Sequence, residues 1–141
     1  MENANFLQSE LSEQIISAFY HVYNTLGYGF PEKVYENSLA ITLRKRGFTV
    51  EQQQPVLVHF EGIEVGHYFA DLVVNDKFII ELKSVEEIHS RHEIQLVNYL
   101  RATAVEVGLV LNFGEKPEIK RRVFTNDRKT FLIYLFTHAD Q

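Results

Sequence analysis

The chain has 141 residues, 45% of them hydrophobic, with eleven Phe, seven Tyr and no cysteine, which suits one compact domain with a sizeable apolar core. The lack of cysteine excludes disulfides and thiolate metal sites and leaves carboxylate and histidine as the metal-binding side chains, so any metal is expected to be a hard one. A formal net charge of -5 argues against a protein that grips nucleic acid by bulk charge alone, without excluding an enzyme that acts on it.

The N-terminus, Met1, Glu2 and Asn3, is neither basic nor apolar, and no run approaches the ~20 apolar residues of a membrane span. The expectation is a single cytoplasmic domain over residues 1–141 with no membrane partner. From Ser9 to Leu26 the apolar positions Leu11, Ile15, Ile16, Phe19, Val22, Tyr23 and Leu26 recur at helical spacing, and Gly27 supplies the stop. Pro31 suits the first position of a second helix that runs through Tyr35, Leu39 and Leu43 to Gly47. Between Phe48 and Lys83 the pattern turns to β-branched and aromatic runs broken by Pro55, Gly62 and the Asn75, Asp76 pair. This predicts three or four strands in hairpin connection. Ser90 and Glu93 read as a capping box for a helix carrying Ile94, Val97, Leu100 and Ala104 on its apolar side and stopping before Gly108. Val107 to Phe113 is a buried strand, and reaching it through a helix makes it a parallel partner of the strand before. Phe131 to Phe136 reads as one more edge strand. Basic residues are unevenly spread: Lys33 is the sole one before Arg44, whereas Lys116, Lys120, Arg121, Arg122, Arg128 and Lys129 crowd the last quarter.

The chemistry concentrates between Phe69 and Lys83, where Asp71 lies in an apolar strand and Glu81 and Lys83 interrupt the next. Side chains two apart on a strand share a face, so Glu81 and Lys83 project together while Phe78, Ile80 and Leu82 point to the core. Hairpin geometry decides whether Asp71 joins them. A two-residue turn at Asn75 and Asp76 pairs Asp71 with Ile80 and separates the carboxylates. A three-residue loop of Asn75, Asp76 and Lys77, or a bulge, sets Asp71 opposite Glu81 and Leu72 opposite Ile80; this second register is the expected one. Two carboxylates on one face suit Mg²⁺ or Mn²⁺, and a lysine beside them can orient water and offset charge in a phosphoryl transition state. The bland alternative is an ordinary ion pair of Lys83 with either acid.

On the second helix Glu32, Tyr35 and Glu36 share a face near its N-terminus, where acidic residues also simply complement the helix dipole. From there Glu32 can reach a metal, or water on it. On the helix after Lys83, His92, Gln95 and Tyr99 form a polar stripe, with Gln95 a candidate to hold water or Lys83 and His92 a candidate phosphate contact.

Gly29, Glu32 and Tyr35 spell G-x-x-E-x-x-Y. Together with Asp71, the Glu81-Leu82-Lys83 triplet, His92-Glu93-x-Gln95 and the Leu-Asn-Phe-Gly run at 111–114, they resemble the GxxExxY family of the PD-(D/E)XK nuclease superfamily from about Leu11 to Phe124. The resemblance implies a restriction-endonuclease-like αβββαβ core, an α/β (α+β) fold with a mixed central sheet flanked by helices. It also implies a signature site of Asp71, Glu81 and Lys83, with Glu32 as the helix-borne acid and Gln95 as the polar residue of the following helix. Ala70 stands where the superfamily's name puts proline.

The function expected is a Mg²⁺- or Mn²⁺-dependent nuclease acting on DNA ahead of RNA. Asp71, Glu81 and Glu32 are its candidate metal ligands; Lys83 and Gln95 complete the catalytic set, and Tyr35, Glu36 and His92 are candidate substrate contacts. The other reading is a non-catalytic nucleic-acid-binding or partner module on the same scaffold, which small size and negative charge favour. Clustered acids disfavour it, because like charges cost stability that a module without chemistry has no reason to bear. A chain this short has little surface beyond its core, so pairing into a homodimer is a further expectation.

Overall fold

The computed structural model of the protein describes residues 7–129. The first helix, α1 (Ser9–Leu26), buries Leu11, Ile15, Phe19 and Val22, and Gly27, at φ 71°, closes it by donating its N–H to Tyr23 O. The second, α2 (Glu32–Lys45), buries Tyr35, Leu39, Ala40 and Leu43; Pro31 stands one residue before it as the extended cap and is not its first helical position.

Five strands follow: β1 (Val50–Phe60), β2 (Ile63–Val74), β3 (Phe78–Lys83), β4 (Val107–Phe113) and β5 (Pro117–Val123), with α3 (Ser90–Ala102) crossing between β3 and β4. They form one mixed sheet in chain order, parallel at β3·β4 and antiparallel elsewhere. Pro55 does not break β1, because a proline is tolerated on an edge strand, so three strands and not four precede α3. The last strand, β5, was not expected; the expected strand at 131–136 lies outside the described residues. The result is a five-stranded α+β domain with αβββαβ order at its centre.

Helices α1 and α2 cover one face of the sheet, packing on Leu72, Val74, Phe78, Ile80 and Leu82. Helix α3 covers the other, packing on Val56, Ala70, Ile79 and Val110. All seven residues of β4 are buried, as expected of a strand with helices on both faces. Two details of α3 depart from the sequence reading. Its cap is His89, whose N–H donates to Nδ1 of His92 at 3.0 Å, while Glu93 instead pairs with Arg122. Its buried side carries His92, Leu96, Tyr99 and Leu100, leaving Ile94 59% exposed. The polar stripe therefore faces inward, toward the end of β3.

Two features position that end. The β2–β3 loop is the three-residue one, with Asn75 and Asp76 both left-handed, Lys77 N–H donating to Val74 O at 3.0 Å, and Leu72 paired with Ile80. The loop after Lys83 is clamped from β4: Asn112 Oδ1 accepts Val85 N–H at 3.0 Å and Asn112 Nδ2 donates to Val85 O at 2.9 Å. Gly114 lies so close to this loop that a Cβ there meets Val85 O at 2.1 Å. Gly114→Ala is therefore expected to cost on the order of 2–4 kcal/mol in urea unfolding, since backbone and not a flexible side chain must yield. Unchanged stability would show that the clamp is slack.

Candidate active site

The strand β2 changes face at Asp71. Leu72 and Val74 lie in the α1–α2 core but Ala70 lies in the α3 core; on β1 Val50 and Val56 divide the same way. Regular alternation would put each pair on one face. Between Gln52, which pairs with Leu72, and Gln54, which pairs with Ala70, stands Gln53 with φ 53°. A left-handed glutamine is uncommon, and strain of this kind collects at functional sites. Past this point the β1–β2 ribbon leaves β3, whose ladder with β2 ends at Leu72–Ile80.

Asp71 fills the opening. Its Oδ2 accepts the N–H of Leu82 at 2.8 Å, and its Oδ1 accepts Gln53 Nε2 at 3.3 Å. The same Gln53 nitrogen donates to Glu36 Oε1 at 2.6 Å, joining β1 to α2. Gln53 is the site residue that sequence reasoning missed; within a run of three glutamines, only the backbone twist singles it out.

Glu81 is 4% exposed, and its Oε1 is buried without a hydrogen-bond partner. Burial first, and then the neighbouring Asp71, push its carboxyl up to about 10, while Lys83 pulls the other way. Lys83 is half-buried and makes no ion pair: among the described residues the ion pairs are Lys33–Glu36 and Arg122–Glu93. The ordinary ion pair that was the bland alternative is not formed.

Glu32 opens α2 on the exposed side of the site, raised above the usual carboxylate range by burial and by Asp71, with Lys83 opposing. Among the described residues no three of His, Asp and Glu converge closely enough to hold a metal together, so Glu32 stands back from the Asp71–Glu81 pair. Gln95 Nε2 donates to Tyr99 Oη at 2.9 Å. Burial, and then the nearby Glu81, raise the Tyr99 hydroxyl. Burial, and then Lys83, lower the imidazole of His92, which favours the neutral ring at neutral pH.

Two expected substrate contacts are committed elsewhere. Tyr35 has no exposed surface; its hydroxyl donates to Gly27 O at 2.7 Å and accepts Phe30 N–H at 3.2 Å, and its ring stacks on Phe113. It builds the loop that delivers Glu32, with Gly29 at φ 107° supplying the turn. Glu36 is 4% exposed. Burial pushes it up, but hydrogen bonds from Lys33, Gln52 and Gln53 prevail and hold it below the usual carboxylate range. Both residues are corrected from substrate contacts to supports.

The donor set fits a divalent cation. A carboxylate pair of which one member resists ionisation, with a buried oxygen lacking any donor, is an arrangement that positive charge completes, and two hard oxygen ligands suffice for an ion that keeps much of its hydration. A family model described as the PD-(D/E)XK nuclease superfamily matches residues 9–122. No curated protein matches the chain. A solved structure titled "Crystal structure of SSO0001" is similar over 95% of this chain and 69% of that one, with 20% identity and a TM-score of 0.47.

Proposed function

Because this chain belongs to the PD-(D/E)XK nuclease superfamily, we propose that it is a divalent-metal-dependent nuclease whose chemistry is carried by Asp71, Glu81 and Lys83. The observation that carries this reading is the buried, unpartnered Oε1 of Glu81 beside Asp71, with Lys83 nearby and in no ion pair with any described residue. The order Gly29, Glu32, Tyr35, Asp71, Glu81, Lys83, Gln95 supports the narrower GxxExxY assignment, in which the glycine and tyrosine shape a loop and the glutamate opens the helix behind it.

Asp71 and Glu81 would hold Mg²⁺ or Mn²⁺, which supplies Lewis acidity toward a phosphodiester and eases deprotonation of water. The protein's own groups do the rest. Leu82 N–H and Gln53 fix the rotamer of Asp71, so its carboxylate is oriented before any ligand arrives. The Lys83 ammonium donates hydrogen bonds to the attacking water and to a non-bridging phosphate oxygen, where negative charge grows as the new P–O bond forms and the opposite one breaks. Glu32, at the open side, accepts a proton of that water. The amide nitrogen of Gln95 is committed to Tyr99, so its carbonyl oxygen is the end that can turn to Lys83. Membership of this superfamily supports a nucleic acid as the substrate class, and our reading puts DNA ahead of RNA.

Calorimetric titration of Mn²⁺ tests the reading. Wild type is expected to bind, Asp71→Ala to lose binding, and Gln53→Ala to bind roughly 10–100-fold more weakly, the usual effect of removing a group that orients a ligand. Absent binding in wild type, or equal binding in all three, removes it.

A further inference from the structure

A groove of ≈ 930 Å³ runs along α3, between that helix and the β1–β2 ribbon, with Lys83, His92 and Gln95 at the helix's first turns and Arg101, Phe124 and Arg128 at its far end. It begins at the proposed active-site lysine, yet Asp71 and Glu81 are not among its walls.

The groove's lining contradicts the chain's overall charge. In a protein of net charge -5, the described residues that line it include Lys83, Arg91, Arg101, Arg128 and Lys129 and no Asp or Glu. Lys129 is structural, donating to Thr103 O and Val105 O. Arg91, Arg101 and Arg128 are exposed. Segregation of one sign into a concave surface is what attracts a polyanion to an otherwise acidic protein.

Its aromatic lining narrows the class. Tyr68 is 50% exposed, with its ring 6.0 Å from that of Tyr99, which is buried beneath it. Phe124 carries Arg128 over its ring at 4.4 Å and Arg101 at 5.6 Å. Val58, Val65 and Ile94 complete an apolar contribution. A duplex keeps its base faces stacked inside and shows phosphates and groove edges, so such a lining has nothing to meet. Unstacked bases of a single strand have faces for Tyr68, and the strand's phosphates suit Arg91 and the guanidinium groups gathered over Phe124.

We propose that this groove binds a single-stranded polynucleotide segment and leads it along α3 to Lys83. The proposal rests on the nuclease reading for what happens at Lys83, but binding in the groove is separable from it. The basic and aromatic lining of the groove points to a single strand, or the unpaired arm of a larger structure, as the substrate.

Fluorescence anisotropy in EDTA, where cleavage is silent, tests binding on the full chain with labelled oligothymidylate and a blunt hairpin duplex. Oligothymidylate is expected to bind more tightly than the duplex at equal salt. Arg91→Gln with Arg101→Gln should weaken it and reduce the slope of log K against log salt by about 1.4, at ~0.7 per phosphate contact on a single strand. Tyr68→Ala should weaken it by tenfold or more, on the order of one lost base stack, and Tyr68→Phe should restore it. Preference for the duplex, or affinities that ignore both the arginine changes and Tyr68→Ala, overturns the groove. Cleavage with Mn²⁺ separates the two readings. Groove-dependent binding without cleavage leaves the groove standing and removes the nuclease. Cleavage that persists with unchanged KM in the groove variants does the reverse.

Discussion

Glu81→Gln is expected to abolish metal-dependent cleavage, by at least about 100-fold, and at the same time to make the metal-free protein more stable. The acid of Glu81 sits at about 10 in the fold because it is buried beside Asp71, whereas in the unfolded chain it titrates near ~4.3. A raised carboxyl binds its proton more tightly folded than unfolded. Its contribution to stability is therefore complete below the unfolded value and is lost progressively as pH rises toward the folded one. At about pH 7 the loss is on the order of 2–4 kcal/mol. Glutamine mimics the neutral acid without that loss. The melting temperatures of the two metal-free proteins should coincide near the bottom of the range, at about pH 4–5, and diverge in favour of the glutamine variant upward from there, by roughly 5–15 °C at neutral pH. Saturating Mn²⁺ should then raise wild type and leave the variant unmoved, because a ligand stabilises only the fold that binds it. A variant less stable than wild type across the pH range would mean that Glu81 is charged and already compensated, contrary to the orphaned Oε1.

That conflict between stability and function is also why the site could be read so early. Charged residues inside apolar strands violate the pattern around them, and Asp71, Glu81 and Lys83 are conspicuous for this reason alone. The register that brings the first two near each other was encoded in Asn75 and Asp76, whose side chains tolerate the left-handed backbone the three-residue loop requires. Less legible was anything decided by tertiary contact. Ile94 fits an apolar stripe, yet α3 turns instead on Leu96, Tyr99 and Leu100, because the sheet face it meets is already shaped by Ala70, Ile79 and Val110. Ser90 and Glu93 spell a capping box, but the helix begins after His89, where His92 is better placed and Arg122 draws Glu93 away. The strand β5 has a weak alternation of Ile119, Arg121 and Val123 with basic residues, and its pairing with β4 supplies what its sequence does not announce. Tyr35 and Glu36 shared a face with Glu32 as expected, but burial turned one into a loop anchor and the other into an acceptor for Gln52 and Gln53. Gln53 was invisible for a plainer reason: a positive φ leaves no mark in the identity of a glutamine.

Lys83→Ala is expected to lower kcat by roughly 10²–10³-fold while leaving the fold and the affinity for Mn²⁺ nearly as they were. Lys83 is half-buried and pairs with none of the described acids, so its loss removes no salt bridge among them and opens no cavity in either core. Its effects on metal binding oppose one another. The ammonium opposes the upward push on the Glu81 carboxyl, which favours a cation there, and it repels that cation directly. What remains is the transition state, where a donor aimed at growing charge acts without any cost of reorganisation. Lys83→Arg should restore less than a tenth of the loss, since a planar guanidinium does not place a point donor where the ammonium stood. Single-turnover cleavage, with calorimetry on the same preparations, separates the possibilities. A fall in kcat with Mn²⁺ affinity kept assigns the lysine to the chemical step. A fall in Mn²⁺ affinity matching the fall in rate reduces it to an electrostatic support for Glu81, and full activity without it moves the chemistry away from this strand.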